Sequence, residues 1–286
     1  MPDSSLAAVV RAAAQSLADA GVPDPLVDAE LLAAHVLDRR RGEVQAAIVR
    51  GDRIDEEQQA ALTRLVSRRA GREPLQHLTG VAPFRHLELS VGPGVFIPRP
   101  ETETVAQFAI DALLNSGEAA PVGIDLGTGS GAIALAMATE VPHARIFAAE
   151  LSEEAHAWAA RNVAGTGNLT LVLCDLAEAF PELDGTASVV ISNPPYVPDA
   201  AVPRDPEVRL FDPALALYGG ADGLDVVRVL SDRALRLLRP GGVLVIEHGE
   251  LQGAEIRELL TADGWRAAAT HRDLTLRDRA TTAIRP

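Results

Sequence analysis

Leu6, Val9, Val10, Ala13 and Leu17 recur three and four residues apart, the spacing that lines up one face of an α-helix. Gly21 and the Pro23-Asp24-Pro25 turn end that run. A second helix is expected over about 26–38, with Leu31, Leu32, Val36 and Leu37 inward. Asp55 followed by Gln58 has the form of a capping box, and it opens a helix carrying Leu62, Leu65 and Val66 that Gly71 closes. Residues 1–83 therefore read as a small helical-bundle domain. From residue 84 the period changes. Leu87, Leu89 and Val91 alternate with polar positions, and Gly92-Pro93-Gly94 turns the chain into Val95-Phe96-Ile97, so residues 84–103 are expected to form a β-hairpin linker. Residues 104–286 alternate apolar runs with helical patterns. Strands are expected at 122–126, 145–149, 169–173, 188–192, 243–247, 265–269 and 279–284, with helices at about 103–115, 132–140, 153–164, 223–239 and 253–262. That alternation predicts an α/β domain, a mostly parallel sheet with helices on both faces.

Composition narrows the classes. No stretch of about 20 apolar residues lacks charges or helix breakers, so no membrane span is expected. Met1-Pro2-Asp3-Ser4-Ser5 has no basic run of the kind that opens a signal peptide. Cys174 is the sole cysteine, which excludes an intrachain disulfide and a cysteine-based zinc cluster. A cytoplasmic protein is the expectation. All 26 basic residues are arginine, so lysine Schiff-base chemistry and a Walker lysine are excluded. The net charge of −14 argues against broad nucleic-acid binding. It is unevenly spread: residues 1–85 hold 11 Arg against 12 Asp and Glu, and the remainder holds 15 against 28. The arginines at 39–41 and at 64, 68, 69 and 72 form either solvated helix faces or a surface that docks an acidic protein.

Two motifs carry chemistry. Ile124-Asp125-Leu126 leads into Gly127-Thr128-Gly129-Ser130-Gly131, a strand followed by a glycine turn into a helix. Glycines there let the backbone take unusual dihedrals and let a ligand approach closely. Glu150 follows Gly131 by 19 residues, at the end of the next strand, where it can accept from ribose hydroxyls. Asp175 ends the third strand, placed to meet an adenine amino group. Dinucleotide sites prefer Gly-x-Gly-x-x-Gly. The Gly-x-Gly-x-Gly found here, with Ala132 in place of the last glycine, suits S-adenosylmethionine, which has no pyrophosphate. About sixty residues later comes Asn193-Pro194-Pro195-Tyr196, just past the Val190-Ile191-Ser192 strand. The Asn193 side-chain carbonyl and the Pro194 main-chain carbonyl can each accept an N–H of a planar nitrogen, the prolines fix the backbone, and Tyr196 can cover the planar face. An amide nitrogen is a poor nucleophile, so two acceptors aimed at its hydrogens are what methyl transfer to it requires. No general base and no metal are called for. The seven histidines are scattered, His77 and His248 reading as structural, and no His-Glu-x-x-His, Gly-x-Ser-x-Gly or Walker loop is present.

The chain resembles the bacterial release-factor glutamine methyltransferases, the PrmC or HemK family, over nearly its whole length. The resemblance runs through Glu73-Pro74-Leu75-Gln76-His77-Leu78-Thr79-Gly80, Phe96-Ile97-Pro98-Arg99-Pro100-Glu101-Thr102-Glu103, the glycine loop, Asn-Pro-Pro-Tyr-Val, Gly219-Gly220-Ala221-Asp222-Gly223-Leu224, Pro240-Gly241-Gly242 and Glu247-His248-Gly249. It implies a Rossmann-like class I methyltransferase domain that methylates N5 of the glutamine in the Gly-Gly-Gln motif of class-1 peptide chain release factors. The helical domain would contact that substrate. It carries cofactor binding onto Asp125, Gly127, Thr128, Gly129, Ser130, Gly131, Glu150, Asp175, Leu176 and Asn193, and substrate binding and catalysis onto Asn193, Pro194, Pro195 and Tyr196. S-adenosylmethionine would be consumed to S-adenosylhomocysteine by a monomer with no nucleic-acid or membrane partner. Arg99 and Glu103 read as a linker salt bridge or as residues of the site mouth. Four positions depart from the common family pattern: Glu150 and Glu101 where Asp is frequent, Leu176 where some members have Trp, and Asp212-Pro213 where Glu-Pro is common. Two other acceptors fit the same motifs: a glutamine of ribosomal protein L3, and the N6 amino group of adenine in nucleic acid.

Overall fold

The computed structural model describes residues 5–286; Met1 to Ser4, the start of the expected helical domain, lie outside the described residues. The chain forms two compact units, one of residues 1–81 with 203–211 and the other of 82–202 with 212–286.

The first unit holds α1 (Leu6–Asp19), α2 (Pro25–Leu37), α3 (Arg41–Arg50), α4 (Glu56–Ala70) and α5 (Leu75–Thr79). Ser5 caps α1 and Asp55 with Gln58 forms the capping box of α4, each supplying an acceptor to backbone N–H groups that have no partner within the helix. Leu6, Val10, Leu17, Leu32, Val44 and Leu62 close its core. In α2 the inward face is Ala29, Leu32 and Ala33, while Leu31, Val36 and Leu37 are only half-buried. The short, low-contrast α3 and α5 were not expected from the apolar pattern.

Two elements break the expected boundaries. The hairpin consists of β1 (Val81–Phe84) and β2 (Leu87–Ser90), turning at Arg85-His86 rather than at Gly92-Pro93-Gly94. Arg85 takes φ +55, its N–H donates to Glu103 Oε1 at 2.9 Å, and its guanidinium grips Glu140 and Gln107. Val95-Phe96-Ile97 is not a strand, because Pro93 and Pro98 on either side cannot donate to a ladder. Val95 and Ile97 are instead buried against the sheet with Phe84, Leu89 and Val91. The segment expected as a linker is thus part of the second unit's core.

The second unit continues with α6 (Pro100–Leu114), β3 (Val122–Leu126), α7 (Ala132–Glu140), β4 (Arg145–Glu150), α8 (Glu153–Asn162), β5 (Leu169–Leu173) and β6 (Ala187–Ser192). The next helix, α9 (Pro206–Phe211), belongs to the first unit. The second unit then resumes with α10 (Ala214–Leu217), α11 (Asp225–Leu237), β7 (Leu238–Glu247), α12 (Gly253–Ala262), β8 (Arg266–Arg272) and β9 (Asp278–Ile284). The seven strands lie in the order β5-β4-β3-β6-β7-β9-β8. The first five are parallel and β9 runs antiparallel to both its neighbours. Alternate residues of the central strands feed two cores. Val189, Ile191 and Val245 face α6 and α7; Val190, Leu244 and Ile246 face α11 and α12. A sheet covered on both faces needs continuous apolar strands, and β6 is buried throughout. The expected strand at 243–247 begins earlier, at Leu238, because Pro240-Gly241-Gly242 forms a bulge rather than ending the ladder: β6 and β7 shift register between Ala187 and Val189.

Candidate active site

Succession in this sheet reverses at β3. The chain goes outward from β3 to β4 and β5, then returns to place β6 on the other side of β3. Ligands of open α/β sheets bind at the carboxyl ends of the strands flanking such a reversal. Asp125 pairs with Ile191 across β3 and β6, and Ser192 Oγ donates to the Leu126 carbonyl at 2.6 Å. The glycine loop after β3 and the tetrapeptide after β6 therefore leave the sheet side by side.

The loop is held from below. Gly127 and Thr128 donate their N–H groups to the Ala149 carbonyl, and Thr128 Oγ1 donates to Asp125 Oδ2 at 2.6 Å. Asn162 Nδ2 of α8 donates to the Ser130 carbonyl at 2.9 Å and Gly131 opens α7. Gly129 has φ +57, and a Cβ added to it would enter open space, so the backbone there is exposed to close approach. Glu150 is buried and bridges two turns, accepting from Gly129 N at 2.7 Å and Ser152 N at 2.8 Å. Asp125 is fully buried; burial pushes its carboxyl up to about 7, against the pull of Thr128 and Ala134, and its Oδ1 has no hydrogen-bond partner. Asp175 is exposed, two residues past the end of β5, and its carboxylate closes a turn on Ala177 N. Leu176 is half-buried against the core shared with Phe180. The predicted cofactor residues thus lie at the ends of four adjacent strands, β5, β4, β3 and β6.

The tetrapeptide is clamped from outside. Val197 N donates to the Leu217 carbonyl and Gly219 N to the Val197 carbonyl, at 2.8 and 3.0 Å. A Cβ on Gly219 would strike the Pro195 carbonyl, and one on Gly223 would strike the Tyr196 carbonyl. Gln252 completes the clamp, with Nε2 donating to the Tyr196 carbonyl at 3.0 Å while Oε1 accepts from Gly249 N at 3.0 Å. Pro194 is buried, and Asn193, Pro195 and Tyr196 are half-buried. The Tyr196 hydroxyl is pushed up to about 12, first by burial and then by the nearby Glu247 carboxylate, so it stays protonated.

Arg99 and Glu103 part company. Arg99 Nη2 donates to Asp212 Oδ2 at 2.6 Å and its guanidinium lies over the Phe96 ring, whereas Glu103 serves the hairpin turn. The acidic residue of that motif that acts electrostatically on Tyr196 and Glu247 is Glu101. His248 is fully buried and neutral, lowered by burial; Nδ1–H donates to the Gly249 carbonyl and Nε2 accepts from Thr281 Oγ1, a structural role. Among the described residues, no group of three or more His, Cys, Asp or Glu is placed to hold a metal ion, and no helix is long and apolar enough to cross a membrane.

Comparison with known proteins bears on the whole chain. Residues 8–80 match the PrmC N-terminal domain and residues 87–219 the methyltransferase small domain. The release factor glutamine methyltransferase of Streptomyces coelicolor is 50% identical over 97% of this chain and 97% of its own length. The chain belongs to the release factor glutamine methyltransferase family. A 4-amino-L-phenylalanine/4-methylamino-L-phenylalanine methyltransferase of Streptomyces pristinaespiralis is 43% identical over 77% of this chain and 76% of its own. In fold, a methyltransferase from Pyrococcus furiosus superposes with a TM-score of 0.51 at 19% identity, over 70% of this chain and 89% of that one. For a release factor glutamine methyltransferase the residues that sequence reasoning left without a role are Thr102, Glu247, Gln252 and Arg279. Glu247 stood inside a quoted motif, but only the pairing of β7 with β6 reveals that it faces Asn193.

Proposed function

We propose that this chain methylates N5 of the glutamine in the Gly-Gly-Gln motif of class-1 peptide chain release factors, using S-adenosylmethionine. The observation that carries the reading is the adjacency of the glycine loop and Asn193-Pro194-Pro195-Tyr196, joined by the Ser192–Leu126 hydrogen bond at the sheet reversal. The residues present fit the cofactor. Gly129 leaves an open approach to the loop backbone, Glu150 has lone pairs left for ribose hydroxyls, and the buried Asp125 carboxyl lies beneath the loop with its Oδ1 unpartnered. Gly127 to Gly131 would cradle the cofactor, with Glu150, Asp175, Leu176 and Asn193 around it. S-adenosylmethionine supplies a methyl group activated as a sulfonium and leaves as S-adenosylhomocysteine.

The remaining task falls to the protein. Asn193 Oδ1 and the Pro194 carbonyl accept the two N–H groups of the glutamine side chain, which holds its nitrogen in line and favours the positive charge that builds on it. Tyr196 is kept neutral and lies against the planar amide. The methylated nitrogen would then release one of its protons to solvent, which calls for no general base in the protein. Pro195 sets the path of the chain between the two acceptors and Tyr196. The protein works as a cytoplasmic monomer, with a protein substrate and neither nucleic acid nor membrane as partner; its net charge of −14 supports the exclusion of nucleic acid.

The test is mass spectrometry of an unmodified release factor after incubation with this protein and S-adenosylmethionine. A gain of one methyl group mapped to the Gly-Gly-Gln glutamine is expected. Methylation of ribosomal protein L3, or of free 4-amino-L-phenylalanine, in its place would overturn the substrate and leave the site.

A further inference from the structure

Glu247, the last residue of β7, is 1% exposed, and its Oε2 has no hydrogen bond of ordinary geometry. A carboxyl in that position is strongly disfavoured as an anion unless neighbours compensate it. The groups that face it come from three elements. The β6–β7 ladder runs to Ser192 opposite Ile246, which sets Asn193 beside Glu247; α6 brings Thr102 and Glu101 near, and β9, whose Ala280 is the ladder partner of Glu247, brings Arg279. Tyr196 shares the cluster and feels Glu247, Arg279, Glu101 and Arg99. Asn193 and Thr102 both stabilise the ionised form of Glu247, as donors to a carboxylate do. Thr102 is itself 3% exposed, and its Oγ1 is likewise a buried polar atom without a hydrogen-bond partner.

An asparagine amide has two ends of nearly equal shape, one that donates and one that accepts. The rigid backbone at Pro194 and Pro195 sets where the Asn193 amide lies but not which end faces outward. A carboxylate only accepts. We propose that Glu247 is a positioning residue: its carboxylate takes an N–H of the Asn193 amide and so turns Asn193 Oδ1 toward the nitrogen to be methylated. The inference rests on the role given to Asn193 in the proposed function. Thr102 holds the carboxylate from the other side, and the Arg279 guanidinium supplies the compensating charge. Burial pushes the Glu247 carboxyl up to about 7. A protonated carboxyl donates as well as accepts, so the choice between the two amide orientations is lost on the acid side of that value and turnover falls there.

The experiment compares kcat, KM and pH profile for release-factor methylation, with S-adenosylmethionine affinity by calorimetry as a control for an intact cofactor site. Absence of transfer by the wild-type protein would count against the functional reading itself, so the inference is judged on variants of an active enzyme. Glu247→Gln places an amide where the carboxylate stood, and it is expected to lower kcat about tenfold or more, to leave KM and cofactor Kd within about twofold, and to abolish the acid limb. Asn193→Asp sets two carboxylates against each other. Adding Glu247→Gln to it restores a donor facing an acceptor, so N193D/E247Q is expected to turn over faster than N193D. The same substitution then lowers activity in one background and raises it in the other, which loss of packing does not do. A Glu247→Gln enzyme with wild-type kcat and pH profile would overturn the inference, as would a double variant no faster than N193D. If Glu247→Gln alone does not fold, the comparison in the N193D background decides.

Discussion

At the scale of single residues, the candidate site combines buried carboxyls with neutral hydrogen-bonding groups. Asn193→Ala removes one of the two proposed acceptors while leaving the glycine loop untouched. Turnover is expected to fall by about a hundredfold or more, the scale of losing one preorganised group at a developing charge, with cofactor affinity nearly unchanged in calorimetry. Asp125 bears on stability. It is pushed up to about 7 by burial from an ordinary carboxylate value of 3.8. Below about pH 4 both folded and unfolded chains hold the proton; between about 4 and 7 only the folded chain does; above that neither does. Stability is therefore expected to decline as pH rises through that window, and Asp125→Asn to flatten the decline in denaturant midpoints measured from pH 4 to 8. Asn193 was legible in the sequence because its motif follows a strand immediately. Glu247 was not, since nothing in its own neighbourhood along the chain indicates that β7 will lie beside β6.

Elements show where local chemistry decides and where it does not. Most strands and helices from residue 122 onward follow the apolar pattern, because a sheet covered on both faces demands continuous apolar strands; the short α9 and α10 and the early start of β7 do not. The hairpin does not follow from pattern alone. Gly92-Pro93-Gly94 looks like a turn between strands, yet Gly92 is required because any side chain there would collide with Trp158. The loop at 219–223 tells the same story. Gly223 sits at φ +78 with the Tyr196 carbonyl in the space of its absent Cβ. Gly223→Ala is expected to destabilise by about 1–3 kcal/mol and to lower kcat by displacing the tetrapeptide, measurable as a shifted melting temperature together with slower methylation. In α4 the arginine cluster is largely consumed by structure. Arg69 is buried, donating to Asp28 at 2.7 Å and to Glu207 at 2.8 Å, and Arg72 donates to the other oxygen of Glu207 at 2.5 Å. Burial pushes the Glu207 carboxyl up, but the hydrogen bonds donated by Arg72 and Arg69 outweigh it and hold the group down at about 2. The stabilisation is present above the ordinary glutamate value of 4.5 and is lost as pH falls toward 2. Glu207→Gln is expected to destabilise the protein at pH 7 by about 3 kcal/mol in denaturant unfolding, because it leaves buried guanidinium groups undercompensated.

For the whole molecule, Glu207 has a further consequence. It lies in the segment 203–211, which follows the tetrapeptide closely in sequence but belongs to the helical unit. A truncation at residue 81 therefore strips that segment of its partners, Arg69 and Arg72, so the proposal that the helical unit docks the substrate is better tested on its surface. Arg39, Arg40, Arg64 and Arg68 are the exposed members of the arginine groups, and Arg68 is paired with Glu73. Reversing Arg39 and Arg40 to Glu is expected to raise KM for the release factor several-fold without changing kcat, in steady-state kinetics at low ionic strength. An unchanged KM would move docking elsewhere. The amino-acid sequence by itself determined the α/β class, the strand succession, the glycine loop and the tetrapeptide, because each is written in short-range spacing: an apolar period, a glycine turn, a pair of prolines after a strand. It took the tertiary structure to decide that β6 returns beside β3, that Glu247 comes to lie beside Asn193, and that Glu207 crosses to Arg69 and Arg72. Those contacts join residues far apart along the chain, and they are set by how strands order in a sheet and how buried charges find partners, which no local pattern encodes.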